Sequence, residues 1–223
     1  MENTHKHSFL TYEADNWFER NKVIVDNYTP ENDKVIDLLK KYNVNCNKVL
    51  EIGCSAGYRL NAINEIFPKA TVFGVEPSLK AIEFGKANYK NVKFSHGTAD
   101  DLSDFKNDTF EVVIVGFVFY VIDRNILLKV ISEIDRVLKD GGILIIIDFF
   151  SETSLKNIYA HIDEFEAYSY KQNYYEIFTN SKLYHLLDKS TFSHSTKEMD
   201  SSDNYHDKYS ISLLKKDINS SYK

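Results

Sequence analysis

Cysteine is nearly absent: Cys46 and Cys54 are the only two in 223 residues. Neither stands at metal-ligand spacing, so a disulfide framework and a thiolate metal site are excluded and no metal is expected. Proline is rarer than usual, at three residues, and no Pro-rich or low-complexity linker divides the chain. Long apolar runs are missing too. The longest, Gly142-Ile-Leu-Ile-Ile-Ile147, has the length of a central strand and falls far short of a membrane span. The polar start, Met1 to His7, lacks the apolar core of a signal peptide, and a cytoplasmic location with no membrane partner is expected. Basic residues do not dominate: 27 Lys and Arg face 33 Asp and Glu, a net charge of -6, so nucleic acid is not an expected partner. Glycine is scarce as well, with eight residues, which gives weight to the place where two of them fall close together.

That place is Val49-Leu-Glu-Ile-Gly-Cys-Ser-Ala-Gly57. The apolar run reads as a buried parallel strand that breaks into a glycine turn, after which a helical pattern begins. Glycines between strand and helix let the backbone approach a ligand. An acid, Glu76, ends the next apolar run in Phe73-Gly-Val-Glu-Pro-Ser78. A glycine turn followed by an acid at the next strand end is how doubly wound folds hold a nucleoside, with the carboxylate on the ribose hydroxyls.

The remaining pattern alternates. Strands are expected near 48–53, 71–76, 92–95, 110–115 and 143–148, with helices near 33–42, 57–67, 78–89 and 124–139; Asp140-Gly-Gly142 is expected to cap the last of these. Alternation of this kind predicts an α/β fold. Residues 151–180 are polar and aromatic and are expected to be helical with a mobile connection. Leu183 to Leu187, Thr191 to His194 and Tyr209 to Leu214 read as extended, closing the sheet with an antiparallel hairpin.

Taken in order, the motifs resemble the class I S-adenosylmethionine (SAM)-dependent methyltransferases, in particular the type 11/12-like small-molecule enzymes. The resemblance covers roughly residues 45–150. It rests on the glycine motif, Gly74-Val-Glu-Pro-Ser78, Thr98-Ala-Asp-Asp-Leu102, Phe110-Glu-Val-Val-Ile-Val-Gly-Phe117, and Glu133-Ile-Asp-Arg-Val-Leu-Lys-Asp-Gly-Gly142. It implies a doubly wound, Rossmann-like, mostly parallel seven-stranded sheet with a C-terminal antiparallel hairpin, and SAM as cofactor, with S-adenosylhomocysteine as product. It implies a cofactor site at Glu51, Gly53, Cys54 and Gly57; at Glu76, Pro77 and Ser78 for the ribose; at Ala99, Asp100 and Asp101 for adenine; and at Gly116 and Phe117 beside the methionine moiety. Where a third glycine is common in the family this chain has Ser55, with which the turn can still form.

The segment around Tyr12, Trp17 and Arg20 is similar to a lid helix that covers the cofactor in some small-molecule and sugar methyltransferases. Residues 1–44 are therefore expected to form a helical lid or strap and residues 45–223 the methyltransferase domain. A base is harder to find. His161, Tyr120 and Tyr168 are the candidates for the acceptor side, whereas His194 and His206 flank the closing hairpin and are expected to lie too far from the strand tips. The expected reaction is methyl transfer to a small polar acceptor, with a sugar or surface-polysaccharide precursor suggested by the lid resemblance alone, in a monomer or homodimer. An NAD-dependent oxidoreductase shares the glycine turn and the acid but not the G-x-G-x-x-G spacing. A non-catalytic SAM-binding module is the third reading.

Overall fold

The computed structural model describes residue 10, residues 13–162 and residues 167–219. The elements in chain order are α1 (Ala14–Asp26), α2 (Lys34–Lys41), β1 (Lys48–Ile52), α3 (Tyr58–Ile66), β2 (Thr71–Glu76), α4 (Leu79–Asn88), β3 (Val92–His96), β4 (Phe110–Gly116), α5 (Leu127–Val137), β5 (Leu138–Phe149), β6 (Leu155–Ile158), β7 (Tyr168–Lys171), α6 (Tyr175–Thr179), β8 (Tyr184–Ser193) and β9 (Lys208–Lys216). Seven strands form one sheet in the order β3-β2-β1-β4-β5-β9-β8. The first five run parallel, and β9 pairs antiparallel with both β5 and β8. This is the doubly wound architecture with a closing hairpin that the sequence predicts. Among the described residues no helix is long and apolar enough to cross a membrane.

The sheet is sandwiched because alternate residues of its central strands point to opposite faces. Val49, Val112, Ile114, Ile145 and Ile147 pack on one face with Val35, Ile36 and Leu39 of α2 and Leu60 and Ile63 of α3. Leu50, Ile52, Val113, Val115, Leu144 and Ile146 pack on the other with Val130, Ile134 and Val137 of α5. Each such buried aliphatic side chain contributes about 1.5–3 kcal/mol. Sequential strands step outward from β1 in one direction, while β4 lies on its other side. The connections after β1 and β4 therefore diverge, opening a crevice at the carboxyl ends of the strands.

Two local readings are corrected. Helix α5 ends at Val137, because Leu138 has turned extended and pairs with Phe110; Asp140 to Gly142 thus lie in an irregularity of β5 where its pairing with β4 shifts register, with Gly141 at φ +76°, rather than in a helix cap. Among the described residues, the stretch expected to be helical after β5 contains instead a two-stranded antiparallel sheet, β6 with β7, and the short helix α6. Its aromatic residues alternate and pack on the main body: Tyr159, Ile162 and Ala167 cluster with Tyr120, and Phe117 and Phe149 pack against them. Tertiary burial has overridden local propensity there.

Candidate functional site

The crevice is a cavity of about 1090 Å³ whose wall includes Glu51, Gly53, Ser55, Glu76, Pro77, Ala99, Asp100, Gly116 and Phe117. A drug-sized ligand occupies a pocket of roughly 300–1,000 Å³, so this space suits more than one small molecule. The turn after β1 lets the chain come this close. Gly53 has φ +71°, and a Cβ built on it would lie 2.4 Å from Cγ2 of Val118. Ser55 adopts φ +49° without being glycine, so the turn does form at the departure from the family pattern. Its N–H donates to Oε2 of Glu76 at 2.8 Å, which offsets the strain of a left-handed conformation, of order 1–2 kcal/mol.

Glu76 ends β2 and is 8% exposed. Its other oxygen accepts from Ser78 N at 2.9 Å. Each carboxylate oxygen keeps a further acceptor position. Burial pushes this carboxyl up to about 7, against the pull of the two backbone donors. Glu51, on the floor, is likewise pushed up to about 7 by burial, although Arg59 opposes the shift. Arg59 Nη1 bonds Glu51 Oε1 and its Nε bonds Asp33 at 2.7 Å, while Tyr28 donates to the same Asp33 oxygen at 2.9 Å. Oε2 of Glu51 is buried and has no hydrogen-bond partner among the described residues. A cationic donor in the cavity would satisfy it, and hydroxyl donors would use the spare positions on Glu76. The acceptor set, the glycine approach and the cavity fit a molecule with an ammonium group and vicinal hydroxyls, as SAM has.

Other anticipated residues stand differently. The Cys54 side chain is buried under β2, where a Cβ on Gly74 would lie 2.4 Å from its Sγ. Gly57 begins α3 at φ +77° and abuts Phe94, 2.6 Å from a built Cβ. Ser78 caps α4 by accepting from Ala81 N at 3.1 Å and donates to Asp15 of α1 at 2.6 Å. Asp100 is buried, accepting from Thr98 Oγ1 at 2.8 Å and meeting Lys129 Nζ at 3.4 Å. Asp101 is exposed, off the wall, and accepts from Ser103 N at 3.2 Å. Tyr168 also lies off the wall, under the Lys156 ammonium at 3.4 Å. Tyr12 lies outside the described residues.

Trp17 and Arg20 of α1 line the cavity mouth. Helix α1 is anchored by Phe18, whose ring lies 5.8 Å from that of Phe84 on α4. Below it, a polar clasp joins three segments that are distant in sequence. Buried Glu13 accepts from Arg20 and from the Tyr159 hydroxyl. Tyr159 gives its one proton to Glu13, so its oxygen accepts from Tyr120; the Trp17 indole, which can only donate, donates to Tyr120. Burial raises both phenols well above their usual range, keeping them protonated. Asp148, pushed up to about 7 by burial, accepts from Val118 N at 3.1 Å and from the amides of Phe119 and Tyr120, holding the Tyr120 segment in place.

Past Tyr120 the wall continues through Phe149, Tyr159, His161, Lys171, His194, Lys197, His206 and Tyr209. His194 and His206 are thus on the cavity wall, contrary to the expected distance. The antiparallel register that sets Phe192 opposite Tyr209 turns the β8–β9 connection back over the strand tips. The His194 ring lies 5.1 Å from that of Phe149, and burial lowers its pKa, with Lys197 and Lys171 adding to the shift, so the imidazole is neutral at pH 7. Glu13, Arg59 and Asp33 are site residues that the sequence motifs do not include. For Arg59 the signal is present, a base two residues past Gly57 in the first turn of the helix; for Glu13 and Asp33 the partners are too far apart in sequence for a local pattern to pair them.

Comparison with known proteins agrees with this geometry. A family described as Methyltransferase domain matches residues 44–192. Demethylmenaquinone methyltransferase of Staphylococcus aureus is 31% identical over 160 residues, 68% of this chain and 63% of the relative, so the chain matches somewhat under two thirds of that protein's length. The structure of Burkholderia thailandensis 1,6-didemethyltoxoflavin-N1-methyltransferase, with bound 1,6-didemethyltoxoflavin and S-adenosylhomocysteine, superposes with a TM-score of 0.73 at 10% identity, covering 98% of this chain and 92% of that one. A SAM-dependent methyltransferase of Methanosarcina mazei gives a TM-score of 0.62 at 15% identity, covering 81% and 98%. Fold, turn chemistry and sequence similarity agree: the chain belongs to the methyltransferase-domain family of SAM-dependent methyltransferases.

Proposed function

We propose that this chain transfers a methyl group from SAM to a small molecule held in the cavity past Tyr120. The observation that carries the reading is Glu76 at the tip of β2, fixed by Ser55 N and Ser78 N with acceptor positions to spare beside the Gly53 turn. SAM supplies a methyl group on a sulfonium, open to direct displacement. In this reading Glu76 accepts the ribose hydroxyls, and Pro77 packs beside them. Glu51, with its buried Oε2, faces the ammonium group. Gly53 and Gly116 keep the floor open, with Arg59 behind them. Ala99 and Asp100 line the adenine end. The backbone of Cys54 and Gly57 shapes the turn, Ser78 orders α4, and Asp101 lies at the rim.

We read residues up to 44 as a strap over residues 45–223, with Trp17 and Arg20 closing the mouth. The clasp through Glu13, Tyr159 and Tyr120 holds that closure and excludes water, so that nucleophile and methyl carbon can be aligned. His194, neutral at pH 7, is the group best suited to take a proton from an acceptor hydroxyl or ring N–H; His161 and Tyr120 are further wall groups, and Tyr168 is secondary. The aromatic wall favours a ring-bearing acceptor. A sugar acceptor rests only on the lid resemblance and finds no support among the relatives. The S. aureus relative is named for demethylmenaquinone and the B. thailandensis neighbour for 1,6-didemethyltoxoflavin. The test is transfer of labelled methyl from SAM to a panel of quinols, phenols and N-heterocycles. Turnover lost in His194→Ala with S-adenosylhomocysteine affinity retained supports the assignment; undiminished turnover in that variant removes His194.

A further inference from the structure

The cavity is bipolar. Glu51, Glu76 and Asp100 line the proposed cofactor end, whereas the far wall brings together Lys171, His194, Lys197 and His206. Among the described residues the two lysines have few counter-charges. Among the described residues the Lys197 ammonium has no hydrogen-bond or ion-pair partner and lies 5.9 Å from the Tyr209 ring centre. Lys171 gives two donors to the carbonyls of Tyr205 and His206, at 2.9 and 2.6 Å, and keeps a third. The one described carboxylate acting on Lys171, Lys197 and His194 is Asp207. It is already engaged by Ser193 Oγ at 2.6 Å and Ser195 Oγ at 2.7 Å. Partial burial lowers both lysines below their usual range. Like charges gathered at one end of a cavity raise the local concentration of an anion there.

The same end is aromatic. Phe117 lies 5.3 Å from Phe149 and 5.7 Å from Tyr209, with interplanar angles of 61° and 51°. Phe117 and Phe149 meet edge to face, and Tyr209 stacks on Phe192 at 5.4 Å, so these rings form one packed aromatic wall against which a planar ligand can lie.

Resting on the methyltransferase reading, we propose that the acceptor is an anionic, ring-bearing small molecule. Its ring packs against the wall formed by Phe117, Phe149 and Tyr209, and its acidic group meets Lys197 and the free donor of Lys171. An aromatic acid or an acidic phenol meets this description; a neutral sugar does not.

The test uses the full chain saturated with S-adenosylhomocysteine, titrated by calorimetry with 2-naphthoate and with 2-naphthamide, a pair matched in ring and differing in charge. The naphthoate is expected to bind about tenfold more tightly, the scale of one charge-assisted hydrogen bond. Lys197→Gln should reduce that preference to about twofold, and Lys197→Glu should reverse it, both with S-adenosylhomocysteine affinity retained. Equal binding of the two probes, no binding of either, or a preference that survives Lys197→Glu overturns the proposal. If S-adenosylhomocysteine itself fails to bind, the methyltransferase reading falls first, so the two failures are distinguishable.

Discussion

One end of the cavity is walled by the carboxyl ends of β1, β2 and β4, and each group there belongs to a short contiguous motif on a strand whose position the sheet dictates. The other end is walled by Tyr120, Tyr159, Lys171, His194 and Tyr209, which come from a 3-10 turn, the residue just past β6, the small strand β7, a hairpin connection and a terminal strand. The first end is acidic and rigid. The second is aromatic and basic and is held shut by side-chain clasps. A scaffold of this kind keeps one ligand site constant while the segments that build the other are free to vary.

The largest effects are expected at the first end. Gly53→Val sets a side chain where even a Cβ meets Val118 at 2.4 Å, on a backbone at φ +71°. We expect S-adenosylhomocysteine binding to fall beyond detection by calorimetry while the far-UV circular dichroism spectrum stays native. Glu76→Ala removes both ribose acceptors, and a loss of about 10- to 100-fold in affinity is expected from one to two charged hydrogen bonds. Unchanged affinity would take Glu76 out of the site.

Tyr159→Phe acts on the second end. Cutting the clasp to Glu13 should lower kcat about tenfold with cofactor affinity changed less than about threefold, because alignment and water exclusion are lost while the cofactor contacts remain. Equal losses in both would mean that the clasp supports the cofactor end as well.

Protonation gives the mildest contrast. Glu51 and Glu76 are raised from 4.5 to about 7, and Asp148 from 3.8 to about 7. Between those values the folded chain holds protons that the unfolded chain releases, so stability falls as pH rises from about 4.5 to 7. Melting temperatures taken without ligand should decline from pH 5 to 8. Donors on Glu76 favour its ionised form, so ligand binding expels a proton below pH 7, and S-adenosylhomocysteine affinity should rise roughly tenfold from pH 6 to 8. Glu76→Gln should flatten that rise.

The two ends also differ in how far they can be read from sequence. Gly53, Glu76 and the strand alternation were legible because their spacing is local and the parallel sheet brings such motifs together. The clasp was not, because Glu13 and Tyr159 meet across 146 positions. The place of His194 depends on the β8–β9 register, which no local turn signal fixes. The β6–β7 pair is hard to tell from helix because its tyrosines alternate over strands of only four residues each, and burial against Tyr120 and Phe149 decides their form.

The most direct test of the central claim is a calorimetric titration of the chain with SAM, S-adenosylhomocysteine and NAD. Micromolar binding of the first two with none of NAD is predicted; binding of NAD, or of none of the three, would contradict the account.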